Sequence, residues 1–347
     1  MTEPAKVSSP RLVSLDAFRG ATIALMVLVN NPGDGAHTYA PLQHAEWHGW
    51  TITDVVFPSF LWIVGVAIAL SRNKPIKQVL KRAAIIFALG LLVYAYPLNL
   101  GTQRIPGVLQ RIAICYLIAA LIYRWFGVRA QILWIVGLLA VYWILMAQAP
   151  FDVEHNFAHS IDRIVLGAHN YHATKTWDPE GIVSTLPAIA TALFGIMAGH
   201  ILRLKRDLAE RTAWLFTAGS FLIAMGLICD IWLPINKKLW TSSFSLFMAG
   251  LDFVLLAIFV WLIDHLGKQR YVRPLVIMGM NSITVYMASE LVDEALSATG
   301  WREAIYKTIF APLASPVNAS LLYGVAYVAL MYAIAYVMYK RNWFWRA

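Results

Sequence analysis

The chain has 347 residues, of which 59% are hydrophobic and 14% charged, whereas soluble domains average about 45–50% apolar and about 25% charged. Together with a mean hydropathy of +0.62, this excludes the pair of soluble domains that length alone would allow. The net charge of +9 does not mark a nucleic-acid binder, because the Lys and Arg residues sit in short clusters between apolar runs.

A bilayer core about 30 Å thick takes roughly 20 residues of helix. Runs near that length recur at 12–31, 53–71, 79–97, 106–124, 130–149, 183–202, 212–233, 243–264, 273–292 and 319–339. They lack two-residue alternation, and an open sheet edge cannot be satisfied in lipid, so a sheet is excluded. The expected architecture is an all-α, polytopic integral membrane helix bundle of about ten spans, forming a single domain over 1–347. Residues 1–11 read as a polar cytoplasmic tail with no cleavable signal peptide. Cys115 and Cys229 fall inside apolar runs and read as membrane-embedded thiols. Gly195 and Gly199, four apart in the sixth run, form a small-residue packing motif.

Orientation follows from the basic residues. With the N-terminus inside, 19 Lys and Arg fall on inner segments and 8 on outer ones, which predicts both termini in the cytoplasm. Residues 32–52 and 150–182 then form long outer loops, and they hold seven of the nine histidines. Insertion explains basic residues inside; it does not explain clustered His, Trp and carboxylates outside.

The densest polar stretch runs from Asn30 through His44-Ala45-Glu46-Trp47-His48-Gly49 to Asp54. An aromatic belt with solvated histidines is one reading, and an active site is the other. His44 and His48 would share a helical face, but Ala45 stands where a zinc-protease motif needs Glu, so no metal is expected. Asp54 lies just inside the second run, where a carboxylate is costly and points to function; it can orient a histidine or form a structural ion pair. Arg19, three residues after Asp16, fits an ordinary helix-surface bridge. Arg111, Asp252 and Glu290 are further polar groups in apolar runs. Trp177-Asp178-Pro179-Glu180-Gly181 marks a turn into the sixth span, and Asn236-Lys237-Lys238-Leu239-Trp240-Thr241-Ser242-Ser243 leads into the eighth. Trp, carboxylate, Asn and Lys together suit a sugar, because aromatic faces stack on pyranose rings while polar groups bind hydroxyls.

The segments Arg11 to Gly20, Val29-Asn30, His44 to Gly49 and Thr53-Asp54-Val55-Val56-Phe57-Pro58 resemble the heparan-alpha-glucosaminide N-acetyltransferase family. Arg104-Ile105-Pro106-Gly107-Val108-Leu109-Gln110-Arg111, Asp178-Pro179-Glu180-Gly181, Leu239-Trp240-Thr241-Ser242-Ser243 and Gly279-Met280-Asn281-Ser282 fit as well. The likeness runs in order over nearly the whole chain and is nearest to bacterial members linked with N-acetylglucosamine use. One departure is His48, where the family commonly has Asn.

The resemblance implies transfer of an acetyl group from cytosolic acetyl-CoA to the amine of an amino sugar on the outer face of a bacterial inner membrane. It implies His44 and Asn30 as active-site residues, with His44 as general base or acetyl carrier. Asp54 then orients His44, and Asn30 donates to the oxyanion. Trp47, His48, Asp178, Glu180, Asn236, Lys237, Trp240 and Ser243 are candidates for binding the acceptor. Arg19, Gln110, Arg111 and Asn281 are candidates for binding CoA, and the basic residues of 72–82 can meet its phosphates. The partners are acetyl-CoA, an amino sugar and the lipid bilayer, with a homodimer as an open assembly option. Two other readings use the same polar face: an amino-sugar or oligosaccharide permease, and an O-acetyltransferase acting on envelope polysaccharide.

Overall fold

The computed structural model describes residues 12–71, 74–94 and 102–344. Those residues form helices and loops, with one isolated bridge between Gly49 and Asn236. In chain order the helices are α1 (Val13–Asn30), α2 (Ile52–Leu70), α3 (Ile76–Val93), α4 (Val108–Trp125) and α5 (Val128–Met146). A short α6 (Phe157–Val165) precedes α7 (Thr185–Leu202), α8 (Leu208–Asp230) and α9 (Ser242–Phe259). Then follow α10 (Arg273–Met280), α11 (Ser282–Ala298), the short α12 (Trp301–Ile305) and α13 (Pro316–Lys340). Side chains with strong capping propensity set several starts: Asn156 accepts from His159 N, Asp207 from Glu210 N and Thr241 from Phe244 N.

Among the described residues eight helices are long and apolar enough to cross a bilayer, and nine if the bent pair α10–α11 counts as one span. The expectation of about ten runs is thus met for eight or nine by length and composition. The third run is also helical, but α3 opens with Lys77, Lys81 and Arg82, and residues 95–97 of that run lie outside the described residues. The ninth run, 273–292, is not a straight helix: it breaks at Asn281 and turns by 69°. Apolar composition continues across the break, so a hydropathy pattern reads it as one piece. The second long loop also contains α6, which buries Ala158, His159 and Asp162 and leaves Ile164 exposed.

Burial separates a central layer from a lipid-facing rim. In α2 and α7, 67% and 72% of the apolar window is buried, against 22% in α5 and in α8. Leu133, Ile144 and Phe221 on these outer helices are exposed, as side chains facing acyl chains are. Glycines let the central helices touch backbone to backbone. A Cβ on Gly65 would lie 1.8 Å from the Ala192 carbonyl oxygen, and one on Gly195 would lie 1.9 Å from that of Trp62. Gly20 and Gly279 make the same contact between α1 and α10. Between membrane helices packing replaces the hydrophobic effect as the driving force, and small residues permit it.

Gly195→Ala is therefore expected to cost about 1–3 kcal/mol through overpacking. Thermal unfolding in detergent should show it, while Gly137→Ala, where a Cβ meets open space, should leave the midpoint unchanged. Equal midpoints for both variants would contradict the packing argument.

Candidate active site

The site begins at the first turn of α2. Asp54 is 1% exposed. Its Oδ2 accepts from the backbone N–H groups of Ala45 and Thr51, both at 3.0 Å. A carboxylate is favoured there because helix N-termini carry unpaired N–H groups and partial positive charge. The other oxygen, Oδ1, lies 2.6 Å from His44 Nδ1. With Nδ1–H donated to Asp54, Nε2 of His44 is the nitrogen left to accept a proton. About half of the His44 side-chain surface is open, and the ring lines a cavity.

The loop carrying His44 is tied down on both sides. Gly49 N donates to Ile235 O at 2.7 Å, and Trp47 Nε1 donates to Phe151 O at 2.8 Å. Lys238 Nζ donates to Glu46 O at 2.5 Å, and burial, together with the charge of Lys237, lowers its pKa. Trp47 also packs edge-on against His159 and Trp177, and those two rings stack at 4.1 Å. Burial pushes the His159 imidazole down to about 4, so it stays neutral near pH 7.

A second element is the strap from Trp177 to Ser184. Arg104 forks onto Asp178 at 2.8 and 2.6 Å and reaches Glu180 at 2.6 Å. All three side chains are at most 6% exposed. Its guanidinium lies over the Tyr171 ring at 4.4 Å. Burial opposes ionisation of Glu180, but Arg104, with Lys237 and Arg111, outweighs it and holds the carboxyl below its usual value. Arg111 donates to Gly181 O at 2.9 Å and Ser184 Oγ at 2.5 Å. Asp162 accepts from Ile182 N at 2.9 Å, and burial raises its carboxyl to about 6.

One cavity of about 1070 Å³ joins these parts. At the loop end its wall includes Asn30, His44, Trp177, Glu180, Lys237 and Glu290. At the opposite end it includes Arg19, Lys74, Arg82 and Arg124, and between them lie Val56, Phe60, Ile63, Ile86 and Ile112. Asp16 and Asn30 both line it and are fourteen residues apart on α1, which is about 21 Å of helix at 1.5 Å per residue. The cavity thus runs most of the length of a span.

Of the residues singled out in the sequence, His44, Asn30, Glu180, Lys237 and Arg19 line this cavity, and Asp54 supports it from behind. Asn30 is a side-chain neighbour of Glu290. Arg19 bridges to Asp16 and reaches Gly279 O, both at 3.3 Å. The remaining candidates lie elsewhere. Trp47 is a strut between loops, and His48 is an exposed neighbour of it. Asp178 and Arg111 hold the strap. Asn236 shapes a turn by accepting from Leu239 N. Trp240 is fully buried against Phe57, Phe244 and Arg111. Ser243 is fully buried and pairs with Thr241 at 3.0 Å. Gln110 packs against Gly90 and Gly107, and Asn281 sits at the break between α10 and α11. None of these side chains is on the cavity wall.

Trp177, Glu290, Arg124 and Tyr286 line the cavity without having been assigned binding roles. For Glu290 a signal existed: a carboxylate inside an apolar run. For Arg124 there was none, because a basic residue at a helix end is what insertion alone produces.

A family described as "Heparan-alpha-glucosaminide N-acetyltransferase, catalytic" matches residues 11–226. The chain is 28% identical to a heparan-alpha-glucosaminide N-acetyltransferase of Mus musculus, over 99% of this chain and 62% of that one. It is 27% identical to the protein of that name in Homo sapiens, over 97% of this chain and 60% of the relative. The chain therefore spans about 60% of the length of the curated relatives it matches.

Arg104→Met leaves Asp178 and Glu180 buried without their main counter-charge, and breaking such a pair costs about 3–5 kcal/mol. Unfolding in detergent should report a loss of that order. In a double-mutant cycle with Asp178→Asn the two losses should fail to add. Additive losses would mean that the fork contributes no coupling.

Proposed function

Because the chain belongs to the heparan-alpha-glucosaminide N-acetyltransferase catalytic family, we propose that it is an integral membrane N-acetyltransferase. It moves an acetyl group from acetyl-CoA, held at the Lys74, Arg82 and Arg124 end of the cavity, to the amine of a glucosamine-type sugar held at the His44 end. The observation that carries this reading is the single cavity with basic residues at one end and the His44–Asp54 pair at the other. CoA is charged and cannot cross lipid, but its thin pantetheine arm can extend through such a passage while the nucleotide stays with the cations. The basic end then faces the cytoplasm of a bacterial inner membrane, with loops 32–52 and 150–182 outside.

The chemistry needs a base and an oxyanion donor. As the amine nitrogen bonds to the thioester carbonyl carbon, it sheds a proton to His44 Nε2, and the C–S bond breaks with sulfur leaving as thiolate. Asp54 keeps Nδ1 protonated and offsets the imidazolium charge. Asn30, at the C-terminus of α1, donates an amide N–H to the carbonyl oxygen. His44 can instead carry the acetyl group covalently, which rapid quenching with labelled acetyl-CoA would trap. One feature favours a permease as second reading: α10–α11 is a broken span beside the cavity, a device of transporters.

Purified protein in liposomes should transfer radiolabel from acetyl-CoA to glucosamine. His44→Ala should slow this by about 10²–10⁴-fold, the usual cost of removing a general base. It should keep the rise in thermal stability that CoA binding confers, since a ligand of the folded state stabilises it. His48→Ala should be much milder. Wild-type rates in His44→Ala would remove His44 from the chemistry. No transfer to any amine, and no stabilisation by millimolar CoA, would leave the permease.

A further inference from the structure

We infer that Glu290 is the residue that recognises the acceptor's amine, docking it as an ammonium beside Asn30 and so selecting amines over hydroxyls. The inference rests on the acetyltransferase reading and deepens it.

Glu290 sits on α11, on the wall of the same cavity as His44, Trp177 and Glu180. Carboxylates inside a membrane bundle are costly and are kept where they meet a partner or substrate. The other acids near it are accounted for differently. Glu180 and Asp178 share Arg104. Asp293, also on the wall, pairs with Arg302 at 3.1 Å. Asp54 is held by His44 and two backbone N–H groups. The polar neighbour of Glu290 on α1 is a neutral amide, Asn30, and its charged neighbours on α11 are Asp293 and Glu294. Among the described residues no cation is paired with it. The local field therefore favours a positive ligand, and an amino-sugar ammonium is one. Lys237 and Lys238, on the same wall, would repel an ammonium from their side and so bias it towards Glu290.

The assignment also solves a proton problem. An ammonium has no lone pair and must lose one proton before it can attack. Glu290 takes that first proton as the amine docks. The second leaves for His44 Nε2 as the C–N bond forms and the C–S bond breaks. One of the two protons ends on the departing thiolate and the other is released, so the ammonium and acetyl-CoA become amide, CoA thiol and one proton. A hydroxyl acceptor carries no charge to meet Glu290 and gains nothing from it, which separates N-acetylation from O-acetylation at this residue.

The test is steady-state transfer from radiolabelled acetyl-CoA to glucosamine by purified protein, with Glu290→Gln and Glu290→Asp compared with wild type. A lost hydrogen-bonded charge pair predicts a KM for glucosamine raised by about 10–100-fold in Glu290→Gln. The KM for acetyl-CoA should be unchanged. The defect should shrink as pH rises and the acceptor loses its own proton, and Glu290→Asp should recover part of the affinity. Direct binding of glucosamine and of N-acetylglucosamine, measured calorimetrically without acetyl-CoA, separates this inference from the acetyltransferase reading. Glucosamine should bind wild type more tightly than N-acetylglucosamine, and Glu290→Gln should abolish the difference even if no transfer is seen. A kcat loss with unchanged KM, a defect insensitive to pH, or an undiminished preference for glucosamine in Glu290→Gln would each overturn it.

Discussion

The carboxylate of Asp54 accepts from the His44 ring through one oxygen and from Ala45 and Thr51 N–H through the other. Two structural demands meet on that one group. The start of α2 needs an anion or acceptor for its unpaired N–H groups, and the loop before it needs an anchor. Asp54 satisfies both and spends its remaining lone pairs on the imidazole. His44 is thereby fixed relative to a helix of the central layer, not to a loose connection. Residues 235–238 and 151 complete the frame through Gly49, Glu46 and Trp47. A change at Asp54 therefore acts on ring orientation, loop position and helix start at once.

The strap from Trp177 to Ser184 is the second fixed wall, and it is built on different physics. Asp54 is held mostly by backbone donors, whereas Asp178 and Glu180 are held by one guanidinium. A planar fork suits two carboxylates better than a lysine ammonium would. Behind it, Arg111 donates through Nη2 to Gly181 O and Ser184 Oγ, which shapes the strap, and it is not on the cavity wall. Two arginines from one short motif thus do unlike jobs: Arg104 borders the cavity and Arg111 holds its frame.

Much of the fold was legible in the sequence because the bilayer imposes a length on every span. The glycine motif at 195 and 199 was readable for the same reason: lipid leaves packing to small residues. The break at Asn281 was not, since apolar side chains continue across it and the change lies in the backbone. At the site, the pairing of His44 with Asp54 was suggested by a carboxylate placed just inside a span, where it can orient a histidine. Asn236, Trp240 and Ser243 do not line the cavity; a polar motif beside a span looks the same whether it faces a cavity or ties a turn. Only burial distinguishes them: Trp240 and Ser243 are wholly enclosed, with their hydrogen bonds already used. Glu290 stood out as an intramembrane carboxylate, but its neighbour Asn30 is 260 residues away in sequence, and only folding brings the two together.

The cavity also has an electrical meaning. A membrane potential falls across any passage that joins the two faces of a bilayer, and each elementary charge carried through 100 mV exchanges about 2.3 kcal/mol with it. At one end the wall carries Lys74, Arg82 and Arg124, and it is apolar through Phe60, Ile63 and Ile112. In the proposed reaction, CoA phosphates at the basic end would stay outside most of the voltage drop, and the acetyl group passing the apolar middle would be neutral. The group that crosses does no electrical work. In that reaction the voltage would act on the protons released and taken up, and those alone would link acyl transfer to the energised state of the membrane.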